Sequence, residues 1–355
     1  MNDDDNDDSS YSVLDDDDPS ITHVVTPKEM MTTGLIITGY TQERLLRCNP
    51  AKNKIRFKRT FGVEAATMVA IYEDLQRITD ENMRLVGSER NLKWFLRTIF
   101  YLRKYPTEDD IERELNVNKD YARQKIWDVM KKIQYLKHKK ITWPRDFGGD
   151  DIWVISVDGT HVWLFEPSHP EFSQDSEYFS HKFNKAGINY ELGISLATGN
   201  LVWMNGPWKA GKSDLQIFIG GGLRDKLLAV GKKAIGDGIY RGYQDVVSYP
   251  NSQDSRPVAK FKSRALKRHE TFNGMTKCFQ ILRQAFRHGV GKIGTAFEAV
   301  AVVCQYKIEA EEPLYDILID DVLHDYSDDE SVAYDEYETD IDTDEEDTNG
   351  EDEED

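Results

Sequence analysis

The chain has 355 residues and a formal net charge of −19, from 64 Asp and Glu against 45 Lys and Arg. Spread evenly, this excess of acid would argue against any polyanionic partner. It is instead concentrated at the ends, because residues 1–18 hold nine Asp and no base, and residues 316–355 hold 21 acids and no base. The remaining 34 acids and 45 bases give residues 19–315 a charge of +11, which favours binding to nucleic acid.

The cysteines and the apolar runs of the sequence indicate the cellular compartment that we expect for this protein. Cys48, Cys278 and Cys304 show no Cys-x-x-Cys spacing, so we expect neither a disulfide framework nor a zinc ribbon, and a reducing intracellular location. The longest apolar run of helical character, Ala296–Cys304, is too short to span a bilayer, and we expect no membrane association. Residues 1–25 and 316–355 have too little apolar content to offset the entropy of ordering, which predicts disordered acidic tails.

Residues 26–148 are predicted to form an all-helical DNA-binding domain. Apolar residues at three-and-four spacing predict helices at Ala65–Thr79 and Asn91–Leu102. Thr107 and Asp110 resemble a capping box at the start of a third helix. A turn at 116–118 then leads into a fourth helix with an apolar stripe, so residues of about 107–137 are predicted to form a helix-turn-helix.

The second helix of this pair has the charge expected of a DNA-recognition helix. Residues 119–145 contain nine Lys and Arg against two Asp. Arg123, Gln124 and Lys131 point away from the apolar stripe and are the candidate DNA contacts. Helical hairpins with solvated lysine-rich faces are common, and on this segment alone that structural interpretation is favoured.

Residues 149–315 change from helical periodicity to short apolar runs. We predict a strand, a hairpin, a helix, a second short strand and a long helix, at 152–157, 188–204, 213–228, 233–236 and 257–288 respectively. This order is typical of a ribonuclease H-like α/β fold. The predicted architecture is therefore a helical domain followed by a ribonuclease H-like nuclease domain.

Two aspartates follow the two predicted strands. Asp158 comes after the apolar run at 152–157, and Asp237 comes after the run at 233–236. In a ribonuclease H-like sheet these strands are parallel neighbours, so their carboxyl ends bring both carboxylates to one edge, where ligands of open α/β sheets bind. The spacing therefore predicts a site for a divalent metal.

The third acidic candidate lies on the long helix. Glu270 is the lone acid between Pro257 and His288, a stretch with eight Lys and Arg, and helical geometry places it on a face shared with Asn273 and Lys277. Such an acid is usually an ion-pair partner, but two strand-end aspartates upstream favour a metal ligand. The candidate contacts to the DNA backbone on this helix are the bases Arg264, Lys267, Arg268 and Lys277.

Three carboxylates without a Cys or His cluster indicate a hard cation. Mg²⁺ or Mn²⁺ prefers such oxygen ligands, whereas zinc prefers nitrogen and sulfur. Two ions about 3.5 to 4 Å apart can activate a nucleophile and stabilise a leaving oxygen in phosphodiester cleavage. The predicted cofactor is therefore Mg²⁺ or Mn²⁺, as two ions.

Three segments resemble the conserved blocks of the PIF/Harbinger-type DDE transposases, over about residues 90–310. They are Val157-Asp158-Gly-Thr-His161, Gly236-Asp237-Gly-Ile-Tyr240 and His269-Glu270-Thr-Phe-Asn-Gly-Met-Thr-Lys277. The resemblance implies Asp158, Asp237 and Glu270 as catalytic and metal-binding residues. Lys277 matches the lysine of the related Tyr-Arg-Glu-Lys signature, but Leu266 replaces its arginine, and Arg264, Arg268 or His269 could substitute.

The function that this resemblance implies is DNA cleavage and joining of 3′-hydroxyl ends by a metal-dependent DDE endonuclease or transposase. The implied partners are DNA, as transposon ends and target, and a separate Myb-like protein for recognition and nuclear entry. A nuclear location is expected, and a homo-oligomer stays open. The main alternative is a domesticated DNA-binding protein that keeps the fold without cutting.

A less favoured alternative comes from a phosphate-loop pattern. Gly206-Pro-Trp-Lys-Ala-Gly211-Lys212-Ser213 matches G-x-x-x-x-G-K-S between a predicted strand and a predicted helix. Pro207 removes an amide that such a loop would use to hold phosphate. The structural alternative is a turn after the hairpin, with Ser213 capping the next helix.

Overall fold

The computed structural model describes residues 23–147, 151–165 and 175–317. Most of both predicted tails lies outside these ranges, and their disorder stays a prediction. The inner ends of the tails that are described are packed, because Val25 and Ile317 are both buried. None of the helices in the three ranges is both long and apolar enough to cross a membrane.

The described chain is helical from residue 27 to residue 140. Its helices are α1 (Pro27–Ile37), α2 (Gln42–Arg47), α3 (Pro50–Phe61), α4 (Ala65–Gln76), α5 (Glu89–Lys104), α6 (Glu108–Leu115), α7 (Lys119–Tyr135) and α8 (Lys137–Lys140). The first two predicted helices are confirmed as α4 and α5, with ends shifted by two or three residues. The helical character of this block is therefore set by local periodicity.

The predicted pair of helices is present as α6 and α7. The Thr107 side chain accepts a hydrogen bond from the Asp110 backbone N–H, and the Asp110 carboxylate accepts one from the Thr107 N–H, which completes the capping box. Asn116 ends α6 in the left-handed conformation, and the Asn118 side chain caps α7. The helices and turn match the sequence, while DNA recognition by them stays a prediction.

A mixed sheet follows the helices. Its strands are β1 (Trp153–Trp163), β2 (Phe179–Ser180), β3 (Lys185–Ser195), β4 (Leu201–Lys209), β5 (Lys233–Ile235) and β6 (Val247–Ser248). They lie in the order β2-β3-β1-β5-β6, and β4 also pairs with β3. β1 is parallel to β5 and antiparallel to β3. This mixed sheet flanked by helices is compatible with the predicted ribonuclease H-like fold.

The remaining helices differ from the prediction in two places. They are α9 (Asp214–Gly220), α10 (Leu223–Val230), α11 (Arg256–Lys277), α12 (Gln280–Arg283) and α13 (Ile293–Ala310). A continuous helix over 213–228 is wrong, because Gly222 has a φ of +90° that interrupts it. A continuous helix over 257–288 is also wrong: α11 ends at Lys277, and the buried Phe279 precedes α12 in extended backbone.

Helix α13 connects the helical block to the sheet. It is buried along most of its length and packs against α4, α7 and β4. Phe297 stacks on Tyr190 of β3 with 3.8 Å between ring centroids. The buried Glu298 carboxylate accepts hydrogen bonds from Gln134 and Tyr190 and pairs with Lys137. The hydrophobic core therefore runs across the domain boundary predicted at 148/149, which itself stays a prediction.

His288 lies in an aromatic cage where the segment after α12 meets the helical block. Its Nε2 is 2.5 Å from the Tyr101 hydroxyl, and its ring packs edge-on against Trp127 at 5.1 Å. Burial, with smaller contributions from the charges of Lys292 and Arg287, lowers the pKa of His288 to about 4. The folded protein therefore holds this imidazole neutral over a pH range in which the unfolded chain protonates it.

We expect this histidine to make the protein sensitive to acid. A lowered pKa in the folded state contributes stability above the unfolded value of about 6.5, and that contribution is lost as pH falls toward 4. Melting temperatures of wild type and His288→Gln should diverge with pH: acidification from pH 7 to 4 lowers that of wild type more, by a few degrees. Equal slopes for the two proteins would contradict this, and the exposed His138→Gln serves as the matched control.

Candidate active site

One predicted aspartate lies on β1 and the other follows the neighbouring parallel strand β5. β5 pairs with β1 as far as Ile235 opposite Ser156, and Asp237 follows two residues later. Asp158 lies two residues beyond Ser156 on β1, opposite Leu192 of β3. It does not end its strand as predicted, because β1 continues to Trp163 through pairing with β3. The parallel pairing nevertheless places both aspartates at the same edge, where β5 has already ended.

The environment of Asp158 disfavours its charged form. Burial, with smaller contributions from the charges of Asp214 and Asp237, raises the pKa of Asp158 to about 7. A hydrogen bond from the Gly159 N–H, 2.8 Å long, and the charge of Lys182 offset part of this rise. These interactions show that three carboxylates lie close enough to influence one another, as is favourable for a bound cation.

Helix α11 runs alongside β1 in a regular register. His269 Nδ1 is 3.2 Å from the Ser156 hydroxyl, Asn273 Nδ2 is 3.4 Å from Asp158 Oδ2, and Lys277 Nζ donates to the His161 carbonyl. Successive contacts are four residues apart on the helix, a rise of about 6 Å, and two or three residues apart on the strand, so they repeat along both elements. This register brings Asn273, rather than Glu270, into contact with Asp158.

Glu270 lies one turn before Asn273 and is exposed. Burial raises the pKa of Tyr315, in the segment that packs on α11, and the charge of Glu270 makes a small contribution to the rise. Among the residues that the structure describes, no three His, Cys, Asp or Glu side chains are arranged to hold a metal ion. Asp158, Asp237 and Glu270 are thus not assembled into a three-carboxylate centre, and without a cation like charges favour separation.

Sequence analysis missed two acids beside Asp158. Asp214 is the first residue of α9, and Glu191 lies opposite Gly159 in the pairing of β3 with β1. Burial, with a smaller contribution from the charge of Asp214, raises the pKa of Glu191 to about 7, although hydrogen bonds from Trp203 and Asn205 offset part of the rise. Asp214 was concealed by the phosphate-loop pattern that ends at Ser213. Glu191 could have been found as the lone charge in the apolar run 188–196.

The predicted DNA contacts on α11 differ widely in exposure. Arg268 is only 1% exposed, and its guanidinium donates to the carbonyls of Ser195 and Leu196 at 2.6 and 3.0 Å. Lys277 is half-buried, and burial lowers its pKa to about 8. Arg264 donates to the Asp316 carbonyl, and Lys267 is exposed. Lys267 is therefore better placed for a phosphate than Arg268, whose guanidinium is engaged inside the protein.

The residues that could replace the arginine missing at Leu266 also differ in exposure. His269 is fully buried, and burial lowers its pKa to about 3. It faces Ser156 rather than solvent. Arg264 is half-buried near the surface of α11 and is the candidate best able to reach a phosphate.

On α7, the three predicted contacts lie on an outer face of mixed charge. Gln124 and Lys131 are exposed, as are Asp120 and Asp128 on the same helix. Arg123 is half-buried and pairs with Glu108 of α6 and with Asp120 at 3.2 Å. A DNA phosphate would have to displace these carboxylates from Arg123.

The phosphate-loop pattern does not form a loop. Gly206 to Lys209 belong to β4, where Trp208 and Lys209 pair with β3, and Lys212 Nζ lies 4.3 Å from the Trp208 ring centroid. Ser213 caps α9 through a capping box with Gln216. A phosphate-binding loop needs consecutive amides that face a ligand at a helix N-terminus. The phosphate-loop interpretation of this segment is therefore wrong, and the structural alternative is confirmed.

Comparison with known proteins gives one match. Residues 157–305 match the family model of DDE superfamily endonucleases. The matched stretch begins one residue before Asp158 and contains Asp237, Glu270 and Asp214. No curated protein and no solved structure matches the chain. The match supports a transposase-derived nuclease, which implies DNA as the substrate.

Proposed function

We propose that this chain is a divalent-metal-dependent DNA endonuclease of the transposase type, which cleaves phosphodiester bonds and joins 3′-hydroxyl ends. The observation that carries the proposal is the position of Asp158 on β1 and of Asp237 two residues after the parallel strand β5, within the stretch that matches the endonuclease family. The third member of the proposed catalytic set is Glu270, on the helix that lies along β1.

The side chains at this edge suit a hard divalent cation. They offer carboxylate oxygens, and a bound cation would favour the charged form of Asp158, which burial and, to a smaller extent, the charges of Asp214 and Asp237 disfavour. Bound Mg²⁺ or Mn²⁺ would supply an activated water and neutralise charge on the leaving oxygen. Asp158 and Asp237 would hold the ions, and Asn273 would orient Asp158 through its 3.4 Å contact.

DNA binding is proposed for exposed cations around the same edge. Lys182, in the turn between β2 and β3, is exposed and acts electrostatically on both Asp158 and Asp214. Lys267 is exposed on α11 three residues before Glu270. Phosphates held by these amines would lie beside the carboxylates, so the scissile bond would be positioned at the metal site.

The finer features of the proposal rest on resemblance. They are the PIF/Harbinger subtype, recognition of transposon ends with the aid of α6 and α7, a Myb-like partner and a nuclear location. The mixed charge on the outer face of α7 fits a division of labour in which a separate protein supplies sequence recognition.

The direct test is nicking of supercoiled plasmid by the full chain. We expect nicked circles with Mg²⁺ or Mn²⁺, none with EDTA, and 3′-hydroxyl ends that a DNA polymerase extends. DNA binding without nicking in either metal would favour the domesticated, non-catalytic alternative. Nicking in EDTA would exclude the proposed metal chemistry.

A further inference from the structure

The last described segment of the chain is fixed along helix α11 by hydrogen bonds. The Tyr315 hydroxyl donates to the Arg264 carbonyl at 2.9 Å, and the Arg264 guanidinium donates to the Asp316 carbonyl at 3.1 Å. The buried Arg268 guanidinium donates to the Tyr315 carbonyl at 3.4 Å. Both the backbone and the side chains of α11 therefore determine where this segment lies.

The segment runs toward the beginning of α11. Tyr315 contacts Arg268 and Arg264, whereas the buried Ile317 belongs to an apolar cluster with Ala265 and Phe261. Successive residues of the segment thus meet successively earlier positions of the helix. The peptide bond to residue 318 consequently starts beside the N-terminal half of α11.

The same half of α11 carries a row of bases. Arg256, Lys260, Arg264 and Lys267 are spaced four, four and three residues apart, which places them on one face of the helix, and we call them the α11 basic stripe. The first turn of α11 contains no acid, and the side chain of the N-cap Ser255 does not cap it. The positive end of the helix dipole therefore adds to the charge of the stripe.

The sequence beyond Ile317 has the opposite charge. Residues 318–355 hold 20 acids and no Lys or Arg, and we call them the C-terminal acidic segment. Its first acids, Asp320 and Asp321, follow Ile317 by three and four residues, so Asp320 lies within about 11 Å of Ile317. Covalent attachment at a fixed point next to the stripe gives this polyanion an effective concentration of about millimolar or more.

We propose that the C-terminal acidic segment docks on the α11 basic stripe and competes there with DNA phosphates, an inference that rests on the proposed DNA-binding function. Arg264 and Lys267 are the cations of α11 best placed for phosphate, and Lys267 is three residues before Glu270. A stripe occupied by the segment withholds these cations from DNA. The segment thereby weakens nonspecific binding in favour of DNA that makes additional contacts.

The first measurement compares DNA affinity in EDTA, where cleavage does not contribute. The wild-type chain is compared with a full-length variant in which every Asp and Glu of residues 318–355 is changed to Asn or Gln. We expect the neutralised variant to bind DNA about tenfold more tightly at about 0.01 M salt, with a smaller gain at about 0.15 M because the Debye length is shorter. Equal affinities of the two proteins at low salt would overturn the proposal.

A second comparison locates the effect on α11. In the background Arg264→Gln/Lys267→Gln, neutralising the segment should increase DNA affinity at least threefold less than in the wild-type background, because the docking site is impaired. The matched control is Lys226→Gln, which removes an exposed lysine of α10 and should leave the full gain. An undiminished gain in the Arg264→Gln/Lys267→Gln background would show that the segment acts only through long-range charge and would overturn docking on the stripe.

A third measurement needs neither DNA nor metal. A fluorescent peptide of residues 318–355 should bind the neutralised full-length chain at low salt and bind its Arg264→Gln/Lys267→Gln form more weakly. Absence of peptide binding, together with plasmid nicking by the wild-type chain in Mg²⁺, would overturn docking and leave the proposed function standing. Peptide binding that requires Arg264 and Lys267, without nicking in Mg²⁺ or Mn²⁺, would support docking and contradict the proposed nuclease.

Discussion

Asp158→Asn and Asp237→Asn are each expected to reduce Mg²⁺-dependent DNA cleavage by roughly 10³-fold or more, and Glu270→Gln is expected to do the same. The physical reason is that each substitution removes the charge of a metal ligand. A loss of about 4 kcal/mol of transition-state stabilisation by the metal corresponds to roughly 10³ in rate. The variants should remain folded, because Asp237 and Glu270 are exposed and Asp158 is destabilised by its neighbours when charged.

The measurement is the initial rate of plasmid nicking, with melting temperature and DNA affinity recorded for each variant. Asp245→Asn is the control, since Asp245 is exposed and makes only a 3.9 Å contact with Arg224. Wild-type rates in Asp158→Asn or Asp237→Asn would contradict the proposed metal site. A wild-type rate in Glu270→Gln alone would remove Glu270 from the catalytic set, an outcome made relevant by its exposed position.

Arg268→Met is expected to destabilise the protein by about 3 kcal/mol, which is the second large effect. Its guanidinium donates to the Ser195 and Leu196 carbonyls and, at 3.4 Å, to that of Tyr315, so it joins α11 to the end of β3 and to the last described segment. Removing it leaves buried carbonyls unpaired, at about 1 to 3 kcal/mol each. Burial of the Arg268 charge is itself unfavourable and lowers its pKa to about 10. Removing that charge therefore offsets part of the loss of stability.

Its neighbour provides the comparison. Lys267→Met should change the free energy of unfolding by less than about 0.5 kcal/mol, because Lys267 is exposed. It should weaken DNA binding. The slope of log affinity against log salt concentration should fall by the amount expected for about one lost phosphate contact. Urea unfolding and DNA anisotropy at several salt concentrations measure both. If Arg268→Met unfolded like wild type and lost DNA affinity, the assignment of Arg268 to the interior would fail.

Local patterns were sufficient for the elements that carry Asp158 and Asp237. Apolar runs followed by an aspartate predicted both strands, and their parallel pairing is confirmed. The Thr107 and Asp110 capping box was also predictable, because it depends on residues three apart. The helix predicted over 257–288 was too long, because Phe279 continues the apolar spacing although it is buried outside α11.

The misassigned residues depend on long-range contacts. Arg268 belongs to the buried stripe of α11, with Phe261, Ala265 and Phe272, but its carbonyl partners come from distant segments that no helical period reveals. Asp214 becomes relevant only when α9 packs over Gly159, 55 residues away in sequence. Sequence could show which acids follow strands, but not which acids the fold brings beside them.

The central claim is that Asp158 and Asp237 hold a divalent cation for DNA cleavage. The most direct measurement is anomalous diffraction from crystals of the full chain soaked in Mn²⁺. We predict a manganese peak between the carboxylates of Asp158 and Asp237, on the side of β1 left open where β5 ends. Crystals soaked to millimolar Mn²⁺ with no peak between these two aspartates would contradict the metal-dependent mechanism.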